Sequence, residues 1–223
     1  MNKTKNLILI LSIFVMAFAF LFPSFGVAKA QSKVSFEEVS ISNGNFNSSP
    51  NSSTLDSNPT GWSLIKTSST AKSGIINVND SKFKSNYSSY FLNADENPGK
   101  TNVDYDDKVL MINARTSSTG SEIPAVQGYK SEEINLEAYS YYTFSILVKT
   151  INNAKASIYL TGLDEEITTV NFESFEAEEW TEYEIFVATG TSEENVNVEL
   201  WLGKKENTTS SGAVFFDNVV VQR

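Results

Sequence analysis

The side chains able to do chemistry here are aromatics, amides, hydroxyls and carboxylates, because the chain holds no Cys and no His. Thiol nucleophiles, Ser-His-Asp triads, His-ligated metals and disulfide scaffolds are excluded together. Function must therefore rest on carboxylates, amides, hydroxyls and aromatics, or on a hard metal ion. Outward aromatic rings on a sheet make a stacking surface, and amides and carboxylates beside them offer hydrogen bonds. Trp201, Tyr159 and Tyr141 are the candidate rings, each set among polar neighbours in a strand-like run. Gln127, Asn197 and Glu199 are the candidate polar partners, and Tyr129 joins them if its strand alternates regularly with Gln127. Trp62 and Trp180 read instead as structural anchors.

Carboxylates are plentiful but poorly arranged for catalysis. Asp106-Asp107, Glu132-Glu133, Glu165-Glu166, Glu178-Glu179 and Glu193-Glu194 are sequence neighbours. Neighbours in a strand point to opposite faces, whereas a glycosidase needs two carboxyls roughly 5–9 Å apart across one sugar bond. The pattern argues against an enzyme. Calcium needs several oxygen ligands. The acidic segment Asp95–Asp107 and the lone Asp217, set between apolar residues of the last strand-like run, are the places to look, with Asp217 favoured.

Charge narrows the partner further. Seventeen Lys+Arg face 27 Asp+Glu, a formal net charge of −10. Phosphate recognition draws on Lys and Arg, so nucleic acid is not an expected partner.

These side chains must be positioned by strands. Val34–Ile41, Val109–Ala114, Tyr141–Lys149, Lys155–Thr161, Thr181–Ala188, Asn195–Leu202 and Ala213–Val221 are rich in β-branched and aromatic residues. Turn signals separate them at Asn152-Asn153, Gly162, Gly190 and Asn207–Gly212. Such spacing without long helical periodicity indicates an all-β, two-sheet antiparallel β-sandwich. Helix is expected only as short turns, as near Asp80–Lys84. Alternation turns Val196, Val198, Leu200 and Leu202 inward, leaving Asn197, Glu199 and Trp201 outward. Tyr142, Phe144, Ile146 and Val148 likewise face in, and Tyr141 out. The expectation is one solvent-facing shelf carrying Trp201, Tyr159 and Tyr141.

The first thirty residues read as a secretory leader. Lys3 and Lys5 precede the apolar run Leu7–Phe22, Pro23 breaks it, and Ala28-Lys29-Ala30 forms the small-x-small cleavage pattern. Residues 1–30 are thus expected to be removed, with 31–223 as a single domain that is extracellular and, after cleavage, free of the membrane. An uncleaved anchor is the alternative, but a span needs about 20 apolar residues.

The pattern resembles the β-jelly-roll carbohydrate-binding modules found beside secreted cellulases and xylanases (families four, nine and twenty-two of the galactose-binding-like superfamily). Asn43-Gly44-Asn45-Phe46 is similar to their opening Asn-Gly-Asp-Phe-Glu, and Gly61-Trp62 to their Gly-Trp. Lys108–Ile112, Val126-Gln127-Gly128 and Tyr142–Lys149 resemble successive strands of the family. Trp180 with Tyr183 and Phe186 resembles its Trp-containing strand, and Phe215–Val219 its closing aromatic-x-Asp-Asp-Val. The resemblance implies jelly-roll topology, a structural calcium in many members, and binding of a polysaccharide or cell-wall glycan without cleavage. Asn47 stands where the family has Glu, and Asn218 where it has the second Asp. An extracellular structural or adhesive protein contacting protein or matrix is the alternative from another class.

Overall fold

A computed structural model describes residues 37–49, 58–66, 71–77, 108–114, 123–164, 171–205 and 208–223. All lie in one of the two units into which the chain divides, Phe36–Arg223. The expected leader, the expected turn at Asp80–Lys84 and the acidic segment Asp95–Asp107 fall outside the described residues. Every regular element described is a strand.

The longest strands have the least to interrupt them. Tyr141–Ile151 (β7) contains no Gly or Pro, and Ala213–Gln222 (β12) and Glu194–Leu202 (β11) are similarly β-branched and aromatic. Thr181–Ala188 (β10) and Ala156–Thr161 (β8) agree with expectation within a residue. Lys108–Asn113 (β4) also agrees, and Glu38–Val39 (β1) is a short remnant of the expected first strand. The strand expected to carry Gln127 and Tyr129 is Gln127–Ser131 (β5), and four further strands appear: Trp62–Lys66 (β2), Lys72–Asn77 (β3), Ile134–Leu136 (β6) and Phe172–Phe175 (β9).

They form two antiparallel sheets. The first has the order β10-β7-β12-β4-β3, with β1 also on β12; the second has β2-β5-β11-β8-β9, with β6 also on β11. The chain passes from β6 in the second sheet to β7 in the first, back to β8 and β9, then to β10, β11 and β12 in alternate sheets. This is the jelly-roll arrangement, and it closes the sandwich without parallel crossovers.

The core lies between the sheets. Phe144, Ile146, Val148, Ile185, Val187, Val214 and Phe216 from the first sheet meet Ile158, Leu160, Val196, Val198, Leu200 and Leu202 from the second. The inward sets are those that alternation requires. Burying each such side chain contributes roughly 1.5–3 kcal/mol. At one edge the sheets are joined by rings: Phe172 and Phe175 of β9 lie 4.9 and 4.3 Å from Tyr183 of β10. Both outer faces also carry apolar clusters. Ile76, Val109, Met111, Ala213 and Phe215 cover part of the first sheet, and Val126, Tyr159 and Trp201 part of the second.

Candidate functional site

The outer face of the second sheet is built from β11, β8 and β5. Register places Trp201 opposite Gly128 on one side and Ser157 on the other, with Glu199 between Lys130 and Tyr159. The indole lies flat on the backbone of Gly128, where a Cβ would stand only 2.4 Å from Trp201 Cδ2. Trp201 Nε1 donates to Glu199 Oε2 at 3.1 Å. The Glu199 carboxylate also pairs with Lys205 at 3.0 Å and accepts from the Thr161 hydroxyl at 3.3 Å. Lys205 Nζ stands 5.8 Å from the centre of the Tyr159 ring, and Lys204 pairs with Glu173 at 2.7 Å. Hydrogen bonding to Lys204 holds the Glu173 carboxyl below the usual carboxylate range. Burial pushes the Tyr159 phenol up, the Glu173 charge adding to the rise and contacts with Ser157 and the Lys205 backbone opposing it. Asn197 is committed as well, donating to the Ser131 carbonyl at 3.0 Å.

Alternation therefore turned Trp201, Tyr159, Asn197 and Glu199 to the correct face, but that face is not open there. Trp201 keeps 3 % of its exposure and Tyr159 6 %, packed together with Val126. The Trp201 N–H is spent on Glu199, whose carboxylate is in turn held by Lys205 and Thr161. The cluster is a sealed knot on the sheet, and the expected shelf does not form.

Gln127 and Tyr129 share a face, as expected, but it is the inner one. The outward set of β5 is Val126, Gly128 and Lys130. Tyr129 Oη and Ser73 Oγ lie 2.7 Å apart, and Gln127 Nε2 also donates to Ser73. The three side chains tie β5 to β3 across the sandwich interior, fully desolvated. Asp217 is wholly buried in β12, its Oδ1 accepting from the Asn218 N–H at 2.7 Å. Register sets Lys149, opposite Phe215, diagonally beside it on the same face. Trp62 packs in the core 5.4 Å from Phe46, and Trp180 packs against the outer cluster of the first sheet, so both are structural.

Tyr141 lies in the other sheet and is 79 % exposed. Beside it is a residue that the sequence placed only in the Trp-containing strand and not among the candidate rings. Phe186 of β10 is 66 % exposed. Thr143 pairs with Phe186 and Tyr141 with Ala188, which makes Tyr141 and Phe186 diagonal neighbours on one outer face. Thr143, Ser145, Glu184 and Gln222 share that face around them. Exposed Tyr139 lies in the turn leading into β7, its N–H held by the Gly190 carbonyl at 2.9 Å. The signal for Phe186 was present in the alternation of β10. Tyr183, Ile185 and Val187 turn inward, which leaves Phe186 outward between Glu184 and Ala188. The arrangement sets two exposed rings on one sheet face among hydroxyls, one amide and one carboxylate.

No protein-family model and no curated protein matches the sequence. Among solved structures, the chain is similar to the family 22 carbohydrate-binding and family 10 glycoside hydrolase modules of Clostridium thermocellum xylanase 10B, complexed with xylohexaose. The identity is 18 %, the TM-score 0.42, and the match covers 76 % of this chain and 27 % of that one. It is also similar to the enzymatically active domain of bacteriophage CBA120 tailspike protein 4, at 14 % identity and a TM-score of 0.45, over 82 % of this chain and 21 % of that one. The carbohydrate-binding module TmCBM61, in complex with β-1,4-galactotriose, matches at 12 % identity and a TM-score of 0.47, over 83 % of this chain and 98 % of that one. The chain thus spans about a quarter of the first two structures and nearly all of the third.

Proposed function

We propose that this chain is a secreted, non-catalytic carbohydrate-binding protein, and that it docks a polysaccharide on the outer face of the first sheet around Tyr141 and Phe186. The supporting observation is the pair of exposed rings on adjacent strands, with the polar rim formed by Thr143, Ser145, Glu184 and Gln222. Rings held on a rigid sheet lose little entropy when a sugar C–H face settles on them. The neighbouring hydroxyl and amide groups fit sugar hydroxyls. The acidic surroundings favour a neutral chain over a polyanion. Secretion follows from the leader-like first thirty residues, and binding without bond cleavage accords with the sequence resemblance set out above.

Affinity electrophoresis against glucans, xylans and peptidoglycan tests the reading. At least one neutral glycan retards the chain, and Tyr141→Ala and Phe186→Ala each weaken retention about tenfold, the equivalent of roughly 1.4 kcal/mol. Their thermal midpoints stay within about 2 °C of the parent, because exposed side chains contribute little to stability. Retention by no glycan, or retention indifferent to both substitutions, overturns the proposal. Capture of a matrix protein through the same two rings would instead favour an adhesive role.

A further inference from the structure

The segment from Asn43 to Ser49 folds back on itself at the end of the sandwich. Asn43 and Phe46 take left-handed backbone angles, φ 50° and 59°, and Phe46 is driven fully into the core. The Asn43 side chain organises the turn, accepting from the Ser48 N–H at 2.9 Å and donating to Ser49 Oγ at 2.7 Å and to the Thr60 carbonyl at 3.0 Å. Val219 N–H fastens the turn to β12 through the Gly44 carbonyl at 3.0 Å. One consequence of this folding is that the carbonyl oxygens of Asn47 and Ser49 converge. The group they meet is Lys108 Nζ, at 2.9 Å from each.

The resemblance described above implies a structural calcium, so the fit of these residues to that ion can be tested. Calcium takes about six to eight oxygens, with carboxylates prominent among them. Residues 43–49 include no Asp or Glu. Among the described residues no three acidic, His or Cys side chains gather into a metal-holding group. Asp217 spends one oxygen on the Asn218 N–H. A fixed ammonium at hydrogen-bond distance from both converging carbonyls would also repel a divalent ion. The residues do not fit calcium.

We infer that the Lys108 ammonium is the resident cation of the 43–49 turn, standing in for a structural metal ion. A lysine at the first position of β4 brings one positive charge and three N–H donors to carbonyls that would otherwise crowd like dipoles together. Charge-assisted hydrogen bonds of this kind are stronger than neutral ones. Because the cation is covalently part of the chain, the turn stays closed whatever the surrounding calcium concentration. This inference stands independently of the glycan proposal.

Chymotrypsin cleavage after Phe46 reads the turn directly, because the buried ring reaches the protease only when the turn opens. In the unsubstituted chain, cleavage at this bond proceeds at the same rate in excess EDTA and in millimolar calcium. Lys108→Met keeps the aliphatic stem and removes the charge, and it speeds cleavage there at least about tenfold. Faster cleavage of the unsubstituted chain in EDTA than in calcium overturns the inference, as does a Lys108→Met chain cut no faster than its parent. Should Lys108→Met fail to fold, the EDTA comparison on the unsubstituted chain still decides.

Discussion

Trp201 shows why the face a residue points to and its accessibility are separate properties. Period-two alternation fixes the direction of its Cβ and says nothing of what lies over that side of the sheet. The indole spans Gly128, gives its N–H to Glu199 and packs on Tyr159 and Val126. Its removal deletes a large buried ring and leaves the Glu199 carboxylate short of a donor. We expect Trp201→Ala to cost about 3 kcal/mol or more and to lower the thermal midpoint by about 6–12 °C in calorimetry. Trp201→Phe keeps most of the packing and loses the hydrogen bond, with a fall of about 1–2 kcal/mol. A midpoint lowered by less than about 2 °C in the alanine variant would show that the ring is not part of the packed structure. Tyr141 and Phe186 behave in the opposite way, since their substitution acts on glycan retention and leaves the fold intact.

At the scale of elements, the pairing of β5 with β11 depends on the missing side chain at Gly128. Any Cβ there meets three indole carbons of Trp201 at 2.4, 2.5 and 2.7 Å, too close to be absorbed by small shifts. Gly128→Ala is therefore expected to destabilise by about 1–3 kcal/mol through overpacking. In a Trp201→Ala background the same substitution escapes those three contacts and is expected to cost less. The cycle of single and double variants, followed by denaturant unfolding, should give a coupling of about 1 kcal/mol or more; additivity would exclude the contact. β7, β10, β11 and β12 were readable because long β-branched runs alternate cleanly and contain no Gly or Pro. Lys72–Asn77 was not, since it is short, contains Gly74 and lies in polar surroundings that read as loop. Phe172–Phe175 escaped because four residues carry no period, and its rings are ordered by Tyr183 on the opposite sheet. The candidate site was legible only for Tyr141. Phe186 needed the alternation of β10 to be carried across to its neighbour, and the fate of Gln127 and Tyr129 turned on which face of β5 met Ser73, a tertiary contact.

The whole molecule is held as a sandwich by its core and by seams outside it, and two of those seams contain ionisable phenols. Tyr183 closes the β9–β10 edge between the sheets, and Tyr159 belongs to the knot on the second sheet. Burial raises both above the ordinary tyrosine value of 10.0. The sign follows from proton counting. Below pH about 10 both phenols are protonated in the folded and unfolded chains, and their contribution to stability is fully present. As the pH rises further, the unfolded chain loses these protons while the folded chain still holds them, so stability is lost progressively through the raised pKa values. An acidic chain of net charge −10 gains only further self-repulsion in that range. The thermal midpoint should accordingly be level from neutral pH to about 9.5 and decline above about 10. Phenolate absorbance, with Tyr159→Phe and Tyr183→Phe as references, should show these two phenols ionising only as near-ultraviolet circular dichroism is lost. Tyr183→Phe keeps the ring against Phe172 and Phe175 and removes the ionisable group, which moves the decline to higher pH. Ionisation of Tyr159 and Tyr183 near the ordinary value, in a chain whose near-ultraviolet signal stays intact, would show that neither seam is closed to solvent.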